Sequence, residues 1–315
     1  MARVLVLATL TTVMLCGVLV GFQSGPPSQM TGAPGNSNCT LCHFSFALNS
    51  GIGLGIASFD ISGPATTLDV PGSGAASIVV GFPATTRPIH GFEMTARDAA
   101  DMQFNPSFAG SWDTSTFGND AQFAYGDPEY VSHTLSGSQQ TSWSVGWLPD
   151  PSPPSGPMTI YAAGNAANGN SAPTSDYIFT ATHTVYQARV SVAQTTWPIG
   201  SSQPITLEAP TVSGHSYILV ASDDATPVSL GGPFLVPLNP FSALANLTLD
   251  PAYASIFQNF QGSLDGNGNA TAQVNVPPLP NLSGMVAHLA FATLDPQSPS
   301  PSVTELSNRV TVTLQ

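Results

Sequence analysis

Ser142-Trp143-Ser144-Val145-Gly146-Trp147 alternates small or polar residues with large apolar ones, and that alternation decides the fold class. Successive side chains of a strand point to opposite faces, so Trp143, Val145 and Trp147 share one face and enter a core, while Ser142, Ser144 and Gly146 share the other. The same period recurs on both sides of this stretch. Upstream, Gly91-Phe92-Glu93-Met94-Thr95-Ala96 alternates in the same way, and downstream Met158, Ile160 and Ala162 repeat the pattern after a proline-rich turn. Gly53 to Ile61 and Ala75 to Phe82 are further strand candidates, parted by Ser62-Gly63-Pro64 and Pro71-Gly72. Asp98 to Asp127 reads as loop, and Tyr177 to Val192 as one long β-prone run between Pro173 and Pro198.

Composition agrees with an all-β chain. The 315 residues suffice for two domains, and 29 glycines and 29 prolines break the apolar residues into short runs. No lysine is present; Lys and Arg total 5 against 18 Asp and Glu, for a formal charge of -13. Nucleic acid is therefore excluded as an expected partner, because its backbone demands basic patches. Arg3 precedes an apolar run from Val4 to Val20 that contains Cys16, and Gly21 to Pro27 breaks it, which is the order of a secretory signal. Residues 1–23 are read as a signal peptide, with an uncleaved membrane anchor as the alternative, and the mature chain as secreted, periplasmic or on the cell surface. Residues 24–188 form the first β unit and 189–315 the second, so the expected architecture is two β-sandwich-like domains.

The chemistry centres on Cys39-Thr40-Leu41-Cys42-His43. C-x-x-C-H is the attachment signature of a c-type haem: two thiols add to the vinyl groups on one edge of a porphyrin, and the adjacent imidazole reaches the iron. Cys39, Cys42 and His43 are thus the expected cofactor site, for one covalent haem c. A Cys39 to Cys42 disulfide or redox pair uses the same thiols, but lacks the βαβ context of such motifs. Zinc needs further ligands that no second C-x-x-C supplies. After His43, FSFALNSGIGLG is too short and too rich in glycine for more than a turn or two of helix, unlike the helices that usually wrap a cytochrome haem. His133 is the leading sixth ligand, with Met94 and His90 as alternatives and Met102 and His183 also in reach. Met94 shares a face with Phe92 and so reads first as core; His90, beside Pro88, reads as a solvated loop residue; His183 reads as a buried structural histidine.

TGAPGNSNCTLCH, IHGFEMTA, YVSHT, SWSVGWLP, MTIYAAGNAANGN and SDYIFTATH, in this order between Ser24 and Val185, resemble the successive blocks of the bacterial choice-of-anchor V family. That resemblance implies export and a reeler-like β-sandwich behind an N-terminal C-x-x-C-H. Within YAAGNAANGN, Asn165, Asn168 and Asn170 with Gly164 and Gly169 read as a turn cluster, and a calcium site with Asp176 is the sharper alternative. The second half repeats short strands at Ile205 to Glu208, Ser216 to Ser222, Phe234 to Leu238, Ala270 to Val276, Met285 to Asp295 and Arg309 to Leu314, with a tight turn at Asp265-Gly266-Asn267-Gly268. It carries no hydrolase, P-loop or dinucleotide signature. The leading expectation is an exported monohaem cytochrome-like protein in electron transfer or redox sensing, facing a redox partner protein. The alternative is a cell-surface binding or structural sandwich with a Cys39–Cys42 disulfide and no haem, facing a cell-surface component, and an enzyme is the weakest reading.

Overall fold

Strands dominate this chain because its apolar residues recur at a period of two, while glycine and proline interrupt each run before a helix can propagate. A computed structural model describes residues 22–70, 74–98, 107–149, 157–230, 234–298 and 302–315. The run from Val4 to Val20 with Cys16, the Pro71-Gly72 breaker and Met102 lie outside the described residues.

The first part contains β1 (Ala57–Ser62), β2 (Ala76–Thr85), β3 (Ile89–Arg97), β4 (Ser111–Asp113), β5 (Ala121–Ala124), β6 (Asp127–His133), β7 (Ser142–Leu148), β8 (Met158–Ala167) and β9 (Tyr177–Val185). They make two antiparallel sheets, in the orders β1-β2-β7-β4 and β5-β6-β3-β8-β9. The inner faces enclose one core in which Ile78, Val80, Met94, Val145, Trp147 and Ile160 are fully buried. As the alternation required, Trp143, Val145 and Trp147 point inward together. Their polar edges are satisfied there, Trp147 Nε1 donating to Ala109 O at 2.8 Å and Trp143 Nε1 to Gly137 O at 3.2 Å.

Three local expectations are corrected. The strand expected from Gly53 starts only at Ala57, because Ser50–Gly53 forms one helical turn and Gly55, at φ +66°, turns the chain after it. The span read as loop between Asp98 and Asp127 contains β4 and β5, which are too short to show a period. The long run from Tyr177 to Val192 is two strands, since β9 ends at Val185 in the first core whereas Ala188 belongs to a second core.

That second core lies between two further sheets. One comprises Arg189–Val192, Ser202–Glu208, Asn269–Asn275 and Phe257–Gln258; the other contains Thr196–Trp197, Val310–Leu314, Val286–Leu294, Ser216–Ser222 and Gln261–Ser263. Ile205, Leu207, Leu219, Leu289 and Val312 are fully buried between them. The Asp265-Gly266-Asn267-Gly268 turn is present, with Asn267 N donating to Asp265 Oδ1 at 2.8 Å and Gly268 at φ +79°. A helix not expected from the sequence, Ala243–Leu249, is capped by Ser242, whose Oγ accepts from Ala245 N at 3.2 Å. Among the described residues no helix is long and apolar enough to cross a membrane.

Candidate functional site

Residues 22–49 cross the outer face of the five-stranded sheet as a strap. On β3 the side chains of Phe92 and Met94 face the core, so Gly91, Glu93 and Thr95 face the strap. Gln122 donates through Nε2 to Ser24 O and, at 3.1 Å, to His133 O, which fixes the start of the strap to β5 and β6. Met30 N donates to Glu93 Oε2 at 3.2 Å, and Asn36 Nδ2 to the Tyr130 hydroxyl at 3.4 Å. Farther on, Asn49 N donates to Ile178 O at 2.8 Å and Phe46 stacks on Tyr177 at 4.2 Å between ring centroids.

The pentapeptide occupies a single turn of this strap. Cys39–Leu41 is a 3-10 turn capped by Asn38, whose side chain accepts from Thr40 N at 2.9 Å, and His43 N closes back on Cys39 O at 3.0 Å. Residues three and four apart on such a turn share a side. Cys39, Cys42 and His43 accordingly line one cavity, of about 220 Å3, whose other walls include Met30, Gly91, Phe92, His133 and Asn165. Both cysteine thiols are free.

Each of the three histidines that line this cavity, His43, His90 and His133, has one ring nitrogen already held. His43 Nδ1 lies 2.8 Å from Asp176 Oδ2, and Asp176 is itself buried with Oδ1 accepting from Asn168 N at 2.9 Å. His133 Nδ1 lies 3.1 Å from both N and O of Phe92. Burial pushes the pKa of His133 down, opposed by the Phe92 backbone. The His133 ring rests on bare backbone: a Cβ on Gly91 would stand 2.5 Å from its Cε1 and 2.8 Å from its Nε2. Asn165, cross-strand from Gly91, places Nδ2 3.4 Å from His43 Nδ1, and its buried Oδ1 has no hydrogen-bond partner.

Beneath the strap, Glu93 is wholly buried with Oε1 unpartnered. Burial pushes its carboxyl up to about 8, opposed by the N–H groups of Met30 and Gln29 and reinforced by Asp127. Cys39 is pushed up to about 12, first by burial of its sulfur and then by Glu93, so it is a thiol at neutral pH.

The other expected residues divide. His90 lines the same cavity but is buried at the start of β3 rather than solvated, with Nε2 3.1 Å from Thr85 Oγ1; its pKa is lowered by burial. Met94 faces the core between the sheets and not the cavity, so it is no ligand candidate. His183 Nε2 is 2.9 Å from Pro64 O, away from the strap cavity. In the asparagine cluster, Asn170 N donates to Asn168 Oδ1 at 2.9 Å and Gly169 sits at φ +78°, the turn chemistry expected, but Gly164 and Asn165 lie within strand β8 and not in the turn. Glu93, Gly91 and the Asp176–His43 pair were not singled out as parts of the site by sequence reasoning, because their roles depend on cross-strand register.

No family model and no curated protein matches the chain. Similar solved structures include the human F-spondin reeler domain, at 15% identity and a TM-score of 0.32 over 42% of this chain and 89% of that one. The Reelin-N domain of F-spondin is similar over 46% of this chain and 94% of that one, at 15% identity and a TM-score of 0.31. The Yersinia pseudotuberculosis adhesin InvE is similar over 84% of this chain and 61% of that one, at 15% identity and a TM-score of 0.22.

The expectation of a cytochrome-like electron carrier or redox sensor is overturned. Among the described residues no helix wraps the pentapeptide, which lies on a strap outside an antiparallel sandwich. Among the described residues no group of three or more His, Cys, Asp or Glu is arranged to hold a metal ion, which leaves the zinc alternative without a cluster there.

Proposed function

We propose that this is an exported, cell-surface binding or structural protein, a member of the choice-of-anchor V family whose strap, together with the helical turn after it, forms its contact surface. The observation that carries this reading is the exposure of Leu41, Phe44, Ile52 and Leu54, each at least 57% exposed, along one short segment beside the cavity. Large apolar side chains left open to water this close together along the chain are read here as a contact surface. The charge of -13 and the lack of lysine support a protein or uncharged surface component as the partner rather than nucleic acid. Under this reading residues 1–23 are an export signal or anchor, 24–188 and 189–315 are separate sandwich units, and no catalytic role is assigned.

Cell fractionation with external protease tests it. The full chain is expected on the outside of intact cells, digested without lysis, and L41S/F44S/I52S/L54S is expected to reach the medium instead of staying cell-associated. A full-length protein confined to the cytoplasm, or unchanged cell association of the quadruple variant, overturns the reading.

A further inference from the structure

We propose that the strap cavity binds a small, neutral aromatic molecule with one O–H or N–H donor, a phenol in chemical class, and that Asn165 accepts its hydrogen bond. The inference goes beyond the contact-surface reading and does not rest on it, because Leu41, Phe44, Ile52 and Leu54 all lie outside the cavity wall.

The walls select the class. A volume of about 220 Å3 exceeds the roughly 150 Å3 that suffices to hold a benzene ring in a protein interior, so one substituted ring fits. Phe22, Pro26, Pro27, Met30 and Phe92 supply apolar, polarizable surface for its faces and edges. Gln23, Asn170 and Ser171, exposed to water, also line the cavity, so a ligand of this size enters with the strap in place. Charge of either sign is disfavoured under the strap: burial lowers the pKa of His133 and carries that of Glu93 up to about 8. The ligand is therefore neutral.

Its polar contact is set by Asn165. Oδ1 is buried without a partner, while Nδ2 faces His43 Nδ1 3.4 Å away and β8 fixes the backbone opposite Gly91. A buried acceptor with no donor is costly, and an O–H carried in on a ring satisfies it. The cysteines and histidines do not redirect the cavity to a metal ion. Cys39, Cys42, His43 and His133 all line it, yet among the described residues no three such side chains converge as an ion requires, at about 2.0–2.3 Å from a common point. Spread around the walls, they meet a molecule instead. Cys39, a thiol at neutral pH, offers that molecule a polarizable edge and no charge.

The purified, reduced full chain is titrated with phenol, benzene and benzoate near neutral pH by calorimetry, and the alkylation of Cys39 and Cys42 by iodoacetamide is timed with and without each compound. Phenol is expected to bind once per chain with a Kd of about 1 mM or below. Benzene, which has no donor, is expected to bind about tenfold more weakly, and benzoate not to saturate. Saturation with phenol is expected to slow alkylation of both thiols, because both stand on the cavity wall. Asn165→Leu removes the acceptor and is expected to bind phenol no better than benzene while keeping the near-ultraviolet signal of Trp143 and Trp147. If that variant does not fold, the wild-type series and the alkylation rates decide. Absence of saturable phenol binding overturns the inference, as does phenol that saturates without slowing alkylation, since its site then lies elsewhere. Equal binding of phenol and benzene to the wild type, or a preference for phenol kept in folded Asn165→Leu, overturns the assignment of Asn165.

Discussion

Glu93 makes the pH dependence of stability a direct probe of the strap. Its carboxyl ionises near 4.5 in the unfolded chain and at about 8 in the folded one, because burial under the strap disfavours the anion. The folded state therefore holds a proton that the unfolded state has released. Stability attributable to Glu93 is fully present below pH 4.5 and is lost progressively as pH rises to about 8. At about 1.4 kcal/mol per pH unit the ceiling is about 5 kcal/mol, and water entry beneath the strap reduces this to a few. His90 and His133 act in the opposite sense. Their pKa values are lowered by burial, so their contribution is present above 6.5 and is lost on acidification. The wild-type profile alone thus mixes two slopes, and the difference between wild type and Glu93→Gln isolates one. Glutamine keeps an acceptor for Met30 N and cannot ionise. Urea midpoints taken from pH 5 to pH 8.5 are expected to show the variant gaining on wild type by about 2–4 kcal/mol across that range. Parallel wild-type and variant profiles would refute the burial of Glu93 beneath the strap.

Three further outcomes are expected. Trp147→Ala empties the centre of the first core and removes the hydrogen bond to Ala109, so denaturant unfolding should show a loss of about 3–5 kcal/mol. Arg189→Ala breaks contacts with Glu208 at 2.7 Å and Asp69 at 3.1 Å, yet its side chain is 31% exposed, so calorimetry should show a change below about 1 kcal/mol. A chain starting at residue 50 should retain the near-ultraviolet signal of Trp143 and Trp147 and unfold cooperatively at a lower temperature, whereas loss of that signal would make the strap part of the core.

The sandwich was legible where the alternation was long enough to fix a face. Seven residues around Trp143 and Trp147 suffice, because a slip of one would expose both rings. Strands of three or four residues, β4 and β5, carry too few positions to display a period, and only pairing with β7 and β6 defines them. The helix Ala243–Leu249 was missed for a related reason: seven residues are below the length at which helical periodicity separates from chance, and packing against Ser216–Ser222 supports it. At the site, Cys39, Cys42 and His43 were legible because their spacing is local. His133 could be named only as one histidine among several, and its place opposite the pentapeptide comes from β6 pairing with β3 at Glu93 and Met94. Asp176 illustrates the same limit. Read only as part of a calcium alternative, it spends one oxygen on Asn168 N and the other on His43, a partner 133 residues away.

The register that brings these groups together also explains why a strap is there at all. One face of an antiparallel sheet is ordinarily solvated, and the outer face of β3 is polar as that rule requires, with Glu93 and Thr95 alternating against Phe92 and Met94. Yet Glu93 and Thr95 are fully buried. Something other than water must meet their hydrogen-bonding groups, and a glycine- and asparagine-rich segment with many free N–H and C=O groups is suited to it, as Met30 N on Glu93 and Asn36 on Tyr130 show. The strap contributes no residue to the fully packed cluster between the sheets, so its hold on the sandwich is largely polar. A cover held that way is one on which the packing between the sheets does not depend.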